Sequence, residues 1–433
     1  MSLSEANRRT LAHVKALQSG HRLSGGWNIL TDVSSLKEVL CLRLSSSCCG
    51  KATHFADYAT ASERRLTRPG AALRQETTAL TAANINEKYT ADAWYDMMKL
   101  AFEHGINFFD NAEAYGNGLA ERNMGAAIKK GIAEGTWSRE DLVITTKIFF
   151  GPKGFMAKSG PNEQGLSRKH IIEGTKASLK RLEQDYVDVI FCHRPEPFTP
   201  IEETVRAMNF VINQGWAFYW GTSQWSAAEI IEACEIADRL GLIRPIVEQP
   251  VYSILDRNKV EFEYVDLYKK YKLGLTTWSP LAYGILTGKY SAGTPDGSRI
   301  QENPMFKSFT PDFAERVVKA DKLKSVAEKL DISLAELALA WCVSNENVST
   351  VMIGAKTLPQ LEQNLKALQS VDKITPEIKA EIDALVPFCA ETGEARRIGD
   401  DEGSASVGGG GGTMVENSTV RRSEMEIGKH GYN

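Results

Sequence analysis

Three short apolar runs in the first half of the chain end in ionisable residues. Asp110, Lys147 and His193 each come at or just after the end of such a run, and Tyr115 follows Asp110 by five residues in a loop that contains Asn and Gly. Apolar runs of about four to eight residues are typical of buried strands. A charged residue at the end of a strand lies at a sheet edge and not in a core. These side chains therefore form a group that can transfer protons.

Helical patterns alternate with the apolar runs from Thr90 onward. Strands are predicted over 106–110, 142–147, 186–192, 217–221, 246–249, 274–279 and 348–353. Helices are predicted from Thr90 and over 119–131, 167–182, 200–213, 226–240, 258–271, 312–329, 333–343, 358–368 and 376–386. Strands that alternate with helices specify parallel βαβ units. An additional first strand near residue 20 would complete an α/β fold of the (β/α)8 TIM barrel type.

Residues 28–87 interrupt this pattern. They are rich in Ser, Thr, Ala, Leu and Arg, and no hydrophobic period is sustained across them. A structureless connection of this length is unusual inside a compact domain. We therefore predict an anomalous, disordered insertion, or a coding-sequence error, after an N-terminal segment at 1–27. The barrel is expected to span 88–394, and a low-complexity tail over 395–433, with five glycines at 408–412, is expected to be disordered.

The composition argues against several classes of protein. The chain has 433 residues, 42% of them hydrophobic, and a formal net charge of −4, so nucleic acid and anionic membranes are not indicated as partners. No apolar run reaches the roughly 18 residues of a spanning helix, and Met1–Lys15 lacks the apolar core of a signal peptide. Seven scattered cysteines without metal-ligand spacing suit a reducing compartment. We expect a cytoplasmic protein without membrane insertion and without a metal site.

A family resemblance is carried by short sequence segments, here called words, that occur in order along 88–390. The words are GINFFDNAEAYGNGLAERNMG at 105–125, LVITTKIFFG at 142–151, GLSRKHIIEGTKASLKRLEQDYVDVIFCHRPEP at 165–197, GWAFYWGTSQWS at 215–226, TTWSPLAYGILTGKY at 276–290 and GAKTLPQLEQN at 354–364. In these words the chain resembles the aldo-keto reductases. The resemblance extends to the branch that includes the cytosolic beta subunits of voltage-gated potassium channels and their fungal relatives.

The resemblance implies a catalytic tetrad of Asp110, Tyr115, Lys147 and His193. Reduction of a carbonyl by hydride transfer needs a proton for the developing alkoxide, and Tyr115 would supply it as the general acid. A free tyrosine has a pKa of about 10, and a neighbouring lysine cation favours the phenolate. Asp110 would keep Lys147 charged, and His193 would orient the carbonyl oxygen by a hydrogen bond. Each residue alone has an ordinary explanation, such as a helix cap or a core histidine, but four together favour catalysis.

The resemblance also implies NADP as the cofactor. Trp278 would stack on the nicotinamide ring, and a loop that begins at Ser279 would bind the pyrophosphate. The matching cofactor positions are Trp27, Ser223, Gln224, Gln249, Trp278, Ser279, Pro280, Leu281, Lys289, Arg299, Gly354, Lys356, Gln360, Gln363 and Asn364. NADP is preferred to NAD because the cations Arg299 and Lys356 would suit a 2′-phosphate.

The first strand has two candidates. Gly25-Gly26-Trp27 resembles the end of the first barrel strand of the family, where it would lie near the cofactor, so we predict the strand at 21–27. The apolar run at 36–42 is the alternative.

Two functions of different classes are compatible with these residues. The first is an NADPH-dependent reductase of aldehydes or ketones, with a small carbonyl compound as substrate. The second is a nucleotide-sensing regulatory beta subunit of a potassium channel with little turnover, for which a homotetramer and an ion-channel partner would be expected. His193 favours the enzyme, because animal channel subunits of this branch carry Asn there. Residues 28–87 also leave open an inactive product of a damaged coding sequence.

Overall fold

Eight parallel strands close into a barrel in sequence order, which confirms the predicted (β/α)8 fold. The computed structural model describes the backbone of 71–74, residues 90–153, 159–296 and 312–390, and the single positions 298, 301 and 310. The strands are β1 Ala71–Arg74, β2 Phe108–Asp110, β3 Val143–Ile148, β4 Val187–Cys192, β5 Ala217–Thr222, β6 Val247–Glu248, β7 Gly274–Thr277 and β8 Thr350–Ile353.

Helices follow the strands around the barrel. They are α1 Ala91–Glu103, α2 Leu119–Ala133, α3 Arg168–Leu182, α4 Ile201–Asn213, α5 Ala227–Leu240, α6 Val265–Tyr271, α7 Phe313–Lys322, α8 Lys324–Lys329, α9 Leu334–Val343, α10 Leu358–Lys366 and α11 Pro376–Leu385. The first helix begins where the sequence predicts, because Thr90 Oγ1 accepts a hydrogen bond from the backbone amide of Ala93 at 3.2 Å. No helix in the described ranges has both the length and the apolar composition to cross a membrane.

Two predicted helices are divided in the structure. The helix expected over 258–271 consists of a π-helical turn, Lys259–Glu263, and then α6. The break is at Tyr264, whose hydroxyl donates to the backbone carbonyl of Trp225 at 2.5 Å. The helix expected over 312–329 is likewise divided into α7 and α8 at Leu323.

The first strand of the barrel lies at neither of the two positions predicted from the sequence. β1 lies at Ala71–Arg74, where Leu73 pairs with Phe109 of β2 on one side and with Ile353 of β8 on the other. These pairings close the described barrel, and the two predicted positions, 21–27 and 36–42, lie outside the described residues. The sequence Ala-Ala-Leu-Arg contains no β-branched or aromatic residue, so its strand state comes from pairing with both neighbours and not from intrinsic propensity.

The remaining predictions for the termini concern residues outside the described ranges. This applies to 1–27, to the tail over 395–433, and to all of 28–87 except β1. Since β1 belongs to the barrel, 28–87 cannot be an insertion throughout.

Alternate residues along each strand face the interior of the barrel. Phe108 and Met352 pack together there, as do Val189, Phe191 and Val247. The intervening residues of the strands pack against the surrounding helices in one large core. The period of two in a strand therefore decides which polar side chains face the carboxyl end of the barrel interior.

Single proline substitutions distinguish the three candidate positions of the first barrel strand. Leu73→Pro removes a ladder hydrogen bond from a strand paired on both sides and should lower the free energy of unfolding by about 1–3 kcal/mol, the cost of leaving a buried partner unsatisfied. Leu23→Pro and Leu40→Pro are matched controls in the two sequence-predicted strands and should cost much less. Denaturant unfolding followed by circular dichroism measures all three. A large loss in either control, with little loss in Leu73→Pro, would contradict the assignment of β1.

Candidate active site

A buried ion pair lies at the carboxyl ends of β2 and β3. The side chains of Asp110 and Lys147 are fully buried, and Lys147 Nζ donates to Asp110 Oδ2. Lys147 Nζ also donates to the backbone carbonyl of Asn111 at 2.8 Å, and Thr145 Oγ1 donates to Asp110 Oδ1 at 2.7 Å. Removing two charges from water is costly, and these additional hydrogen bonds offset part of that cost. The pair therefore has a fixed geometry.

Tyr115 lies beside this ion pair. Its buried ring begins the 3-10 turn Tyr115–Gly118, and the ring centroid is 5.0 Å from Lys147 Nζ. The turn ends at Gly118, whose φ is +82°, and a Cβ there would lie 2.9 Å from the side chain of Arg181. Only glycine combines this backbone conformation with that close approach. The glycine in the loop thus lets the chain turn sharply after Tyr115.

His193 completes the predicted group of four. It follows β4 directly, and its backbone amide donates to the carbonyl of Ile148 at 3.0 Å. The His193 ring lies edge-on to Tyr115, with 5.7 Å between centroids and an angle of 80°. On another side it contacts Phe150, with 5.2 Å between ring centroids. The structure therefore brings Asp110, Tyr115, Lys147 and His193 into one cluster.

Ser223 and Gln249 join the cluster from β5 and β6. Each directly follows its strand, and Ser223 Oγ donates to the backbone carbonyl of Gln249 at 2.9 Å. Gln249 Nε2 is 3.4 Å from Asp110 Oδ1 and 3.5 Å from Thr276 Oγ1. Gln249 therefore contacts the ion pair directly, and Ser223 contacts the backbone of Gln249.

Trp278 is fixed by Gln224. In the amide orientation that satisfies both neighbouring donors, the Gln224 oxygen accepts from Trp278 Nε1 at 3.1 Å and from the backbone amide of Val251 at 3.1 Å. Gln224 has a φ of +62° and Ser279, just after Trp278, has a φ of +60°. Such conformations are costly for residues other than glycine and cluster at functional sites. The indole is therefore held by two strained loops.

Arg194 also lies at this site, although it was not among the residues predicted from the sequence. Its guanidinium carbon lies 5.9 Å from the Trp278 ring centroid and 6.0 Å from that of Phe150, and Nη1 is 3.4 Å from Ser223 Oγ. A cation directly after His193, at the end of β4, was the available signal. Arg194 therefore places a positive charge near Trp278 and Ser223.

Other predicted cofactor residues lie after β8, at the beginning of α10. Gly354 follows β8, and its carbonyl accepts from Asn364 Nδ2 at 3.4 Å. The backbone amide of Lys356 donates to Gln360 Oε1 at 2.8 Å, whereas the Lys356 side chain is exposed. Gln363 is exposed on α10. A helix N-terminus with a nearby cation suits a phosphate group.

The predicted loop after Trp278 follows β7. Ser279 Oγ accepts from the backbone amide of Tyr283 at 3.3 Å, Pro280 is buried and Leu281 is half-buried. Lys289 is exposed, with Nζ 5.0 Å from the Tyr290 ring centroid. The remaining two predicted residues, Trp27 and Arg299, lie outside the described residues. Within the described ranges, no group of three or more His, Cys, Asp or Glu residues could hold a metal ion.

Comparison with known proteins places the chain in a family. The profile of the Aldo/keto reductase family matches residues 77–387. A protein of Arabidopsis thaliana, described as a probable voltage-gated potassium channel subunit beta, is 53% identical over 289 residues, which cover 66% of this chain and 84% of that protein. A rice protein with the same description is 51% identical over 67% of this chain and 86% of its own length. A Schizosaccharomyces pombe relative described by the same subunit name is 46% identical over 70% and 87%. The chain therefore belongs to the aldo/keto reductase family.

Proposed function

We propose that this oxidoreductase uses NADPH to reduce an aldehyde or ketone to an alcohol, with Tyr115 as the general acid. The observation that carries the proposal is the position of the Tyr115 ring between two groups. The Lys147 ammonium lies 5.0 Å from the ring centroid, and the His193 ring is 5.7 Å away on another side. A buried cation of fixed position beside a phenol stabilises the negative charge that forms when the phenol gives up its proton.

The residues after the strands suit a nicotinamide dinucleotide. Trp278 offers an aromatic face of fixed orientation, because Gln224 holds its indole nitrogen. Ser223 and Gln249 offer hydroxyl and amide groups for the carboxamide. Exposed Lys356 at the beginning of α10 offers a cation for a phosphate. When bound, the reduced nucleotide supplies the hydride that adds to the carbonyl carbon.

The chain supplies the proton for the carbonyl oxygen. His193 donates a hydrogen bond to that oxygen and orients it, and Tyr115 transfers its hydroxyl proton to the oxygen as negative charge develops. Lys147 stabilises the resulting phenolate, while Asp110 and the carbonyl of Asn111 hold the ammonium in place. The substrate carbonyl gains one hydride and one proton, which balances the reduction to an alcohol.

A second candidate function is association with a potassium channel. Its basis is the description of the plant and yeast relatives as channel beta subunits. The complete group of Asp110, Tyr115, Lys147 and His193 favours turnover over a role limited to nucleotide sensing. We therefore regard a channel partner as an addition to catalysis and not as a replacement for it.

Tyr115→Phe tests the general acid. NADPH oxidation on a panel of aldehydes and ketones should fall by about 10²–10⁴-fold, the usual contribution of such a group, while NADPH affinity stays nearly unchanged. Tyr95→Phe is the matched control, because Tyr95 is also a buried tyrosine but donates to Glu134 on the outside of the barrel. Turnover in Tyr115→Phe equal to that of the control would refute the assignment.

Lys147→Met separates stability from catalysis. The variant leaves Asp110 buried without its cation, and breaking a buried pair in this way costs about 3–5 kcal/mol in unfolding free energy. Adding Asp110→Asn removes the uncompensated charge and should recover much of the stability but none of the turnover. Denaturant unfolding and steady-state kinetics measure the two effects. Recovered turnover in the double variant would show that Lys147 serves the fold alone.

Lys356→Ala tests the choice of nucleotide. If Lys356 meets the 2′-phosphate, the variant should bind NADPH about tenfold or more weakly, the usual effect of losing one hydrogen bond to a charged group. NADH affinity should hardly change. Lys366→Ala is the matched control, because Lys366 lies at the carboxyl end of α10, whereas Lys356 lies just before its amino end. Equal losses for the two nucleotides, measured by fluorescence titration, would refute the phosphate contact.

A further inference from the structure

A buried carboxyl group lies behind the proposed nicotinamide site. Glu248 is the last residue of β6 and is fully buried, and its neighbour Gln249 faces the site. Because successive strand residues face opposite sides, the Glu248 side chain lies between the sheet and the helices. Thr222 Oγ1 donates to Glu248 Oε2 at 2.5 Å, and the hydroxyl of Tyr264 is 3.4 Å from Oε1.

The same carboxyl group is linked to Trp278. Thr222, whose hydroxyl donates to Glu248 Oε2 at 2.5 Å, lies two residues before Gln224 in the same turn. The Gln224 side chain in turn accepts from Trp278 Nε1 at 3.1 Å. Gln224 has a φ of +62°, so its backbone needs such contacts to stay in place. Glu248, Thr222 and Gln224 therefore form one connected support for the indole.

We propose that ionised Glu248 is a positioning residue, which fixes the turn from Thr222 to Gln224 and thereby holds Trp278 in the orientation that binds the nicotinamide ring. The proposal rests on the proposed function for its effect on NADPH. A protonated carboxyl group must donate its own hydrogen and accepts less well from Thr222, the anchor of the turn that leads to Gln224. Protonation therefore loosens Gln224 and then Trp278.

The groups around Glu248 allow it to change charge near neutral pH. Burial raises the pKa of Glu248 to about 7, while the Thr222 hydroxyl and the Lys259 cation oppose that shift. Burial and the Glu248 charge both raise the pKa of the Cys192 thiol and of the Tyr264 and Tyr268 hydroxyls, so these stay protonated. The ionised form of Glu248 dominates above neutral pH and is lost as the pH falls.

NADPH affinity as a function of pH tests the proposal. Wild-type affinity should fall by about tenfold as the pH falls through about 7, as for one lost hydrogen bond to a charged group. Glu248→Gln should bind at the weaker level at every pH. Thr222→Val removes a group that lowers the pKa, so it should move the inflection to higher pH. Glu121→Gln is the matched control, since Glu121 is an equally buried carboxylate that accepts from Thr146, and it should keep the inflection.

A second measurement on the nucleotide-free protein keeps this inference separate from the proposed function. The indole N–H resonance of Trp278, assigned with Trp278→Phe in protein with labelled tryptophan, should titrate near neutral pH in the wild type and stay fixed in Glu248→Gln. A wild-type protein that binds no NADPH at any pH would refute the proposed function alone. A resonance that does not titrate, or a titration unchanged in Glu248→Gln, would overturn the role of Glu248.

Discussion

The buried pair of Lys147 and Asp110 is the interaction on which the rest of the site depends. A lysine with no exposed surface persists in a protein only when its charge is compensated, and here Asp110 and the carbonyl of Asn111 supply the compensation. Asp110 is held in turn by Thr145 and contacted by Gln249. The pair therefore joins β2 and β3 to β6 across the barrel, and it fixes a cation beside the Tyr115 ring.

A second layer of polar contacts lies behind the sheet. Thr146, one residue before Lys147, donates to buried Glu121, which also accepts from Arg181 at 2.6 Å. Thr222, one residue before Ser223, donates to buried Glu248. In both places an outward threonine anchors the strand just before an inward residue of the site. Because successive residues of a strand face opposite sides, contacts made outside the sheet fix the position of the neighbouring side chain inside the barrel.

The sequence predicted which polar side chains lie together at the carboxyl end of the barrel better than it predicted how the barrel closes. Asp110, Lys147 and His193 were predictable because an apolar run that stops at a charged residue marks a strand end. β1 was not predictable, since its strand state depends on pairing with β2 and β8. Arg194 and Glu248 were missed for a related reason. Their partners come from other strands and loops, and only the closed sheet brings those partners together.

Transfer of deuterium from NADPH labelled at C4 tests the central claim most directly. If Trp278 covers one face of a nicotinamide ring beside Tyr115, an aldehyde reduced by this protein should take deuterium from one of the two C4 positions only. The same label should slow the oxidation of bound nucleotide in a single turnover. Deuterium in the alcohol from both positions, or no deuterium at all, would contradict the account.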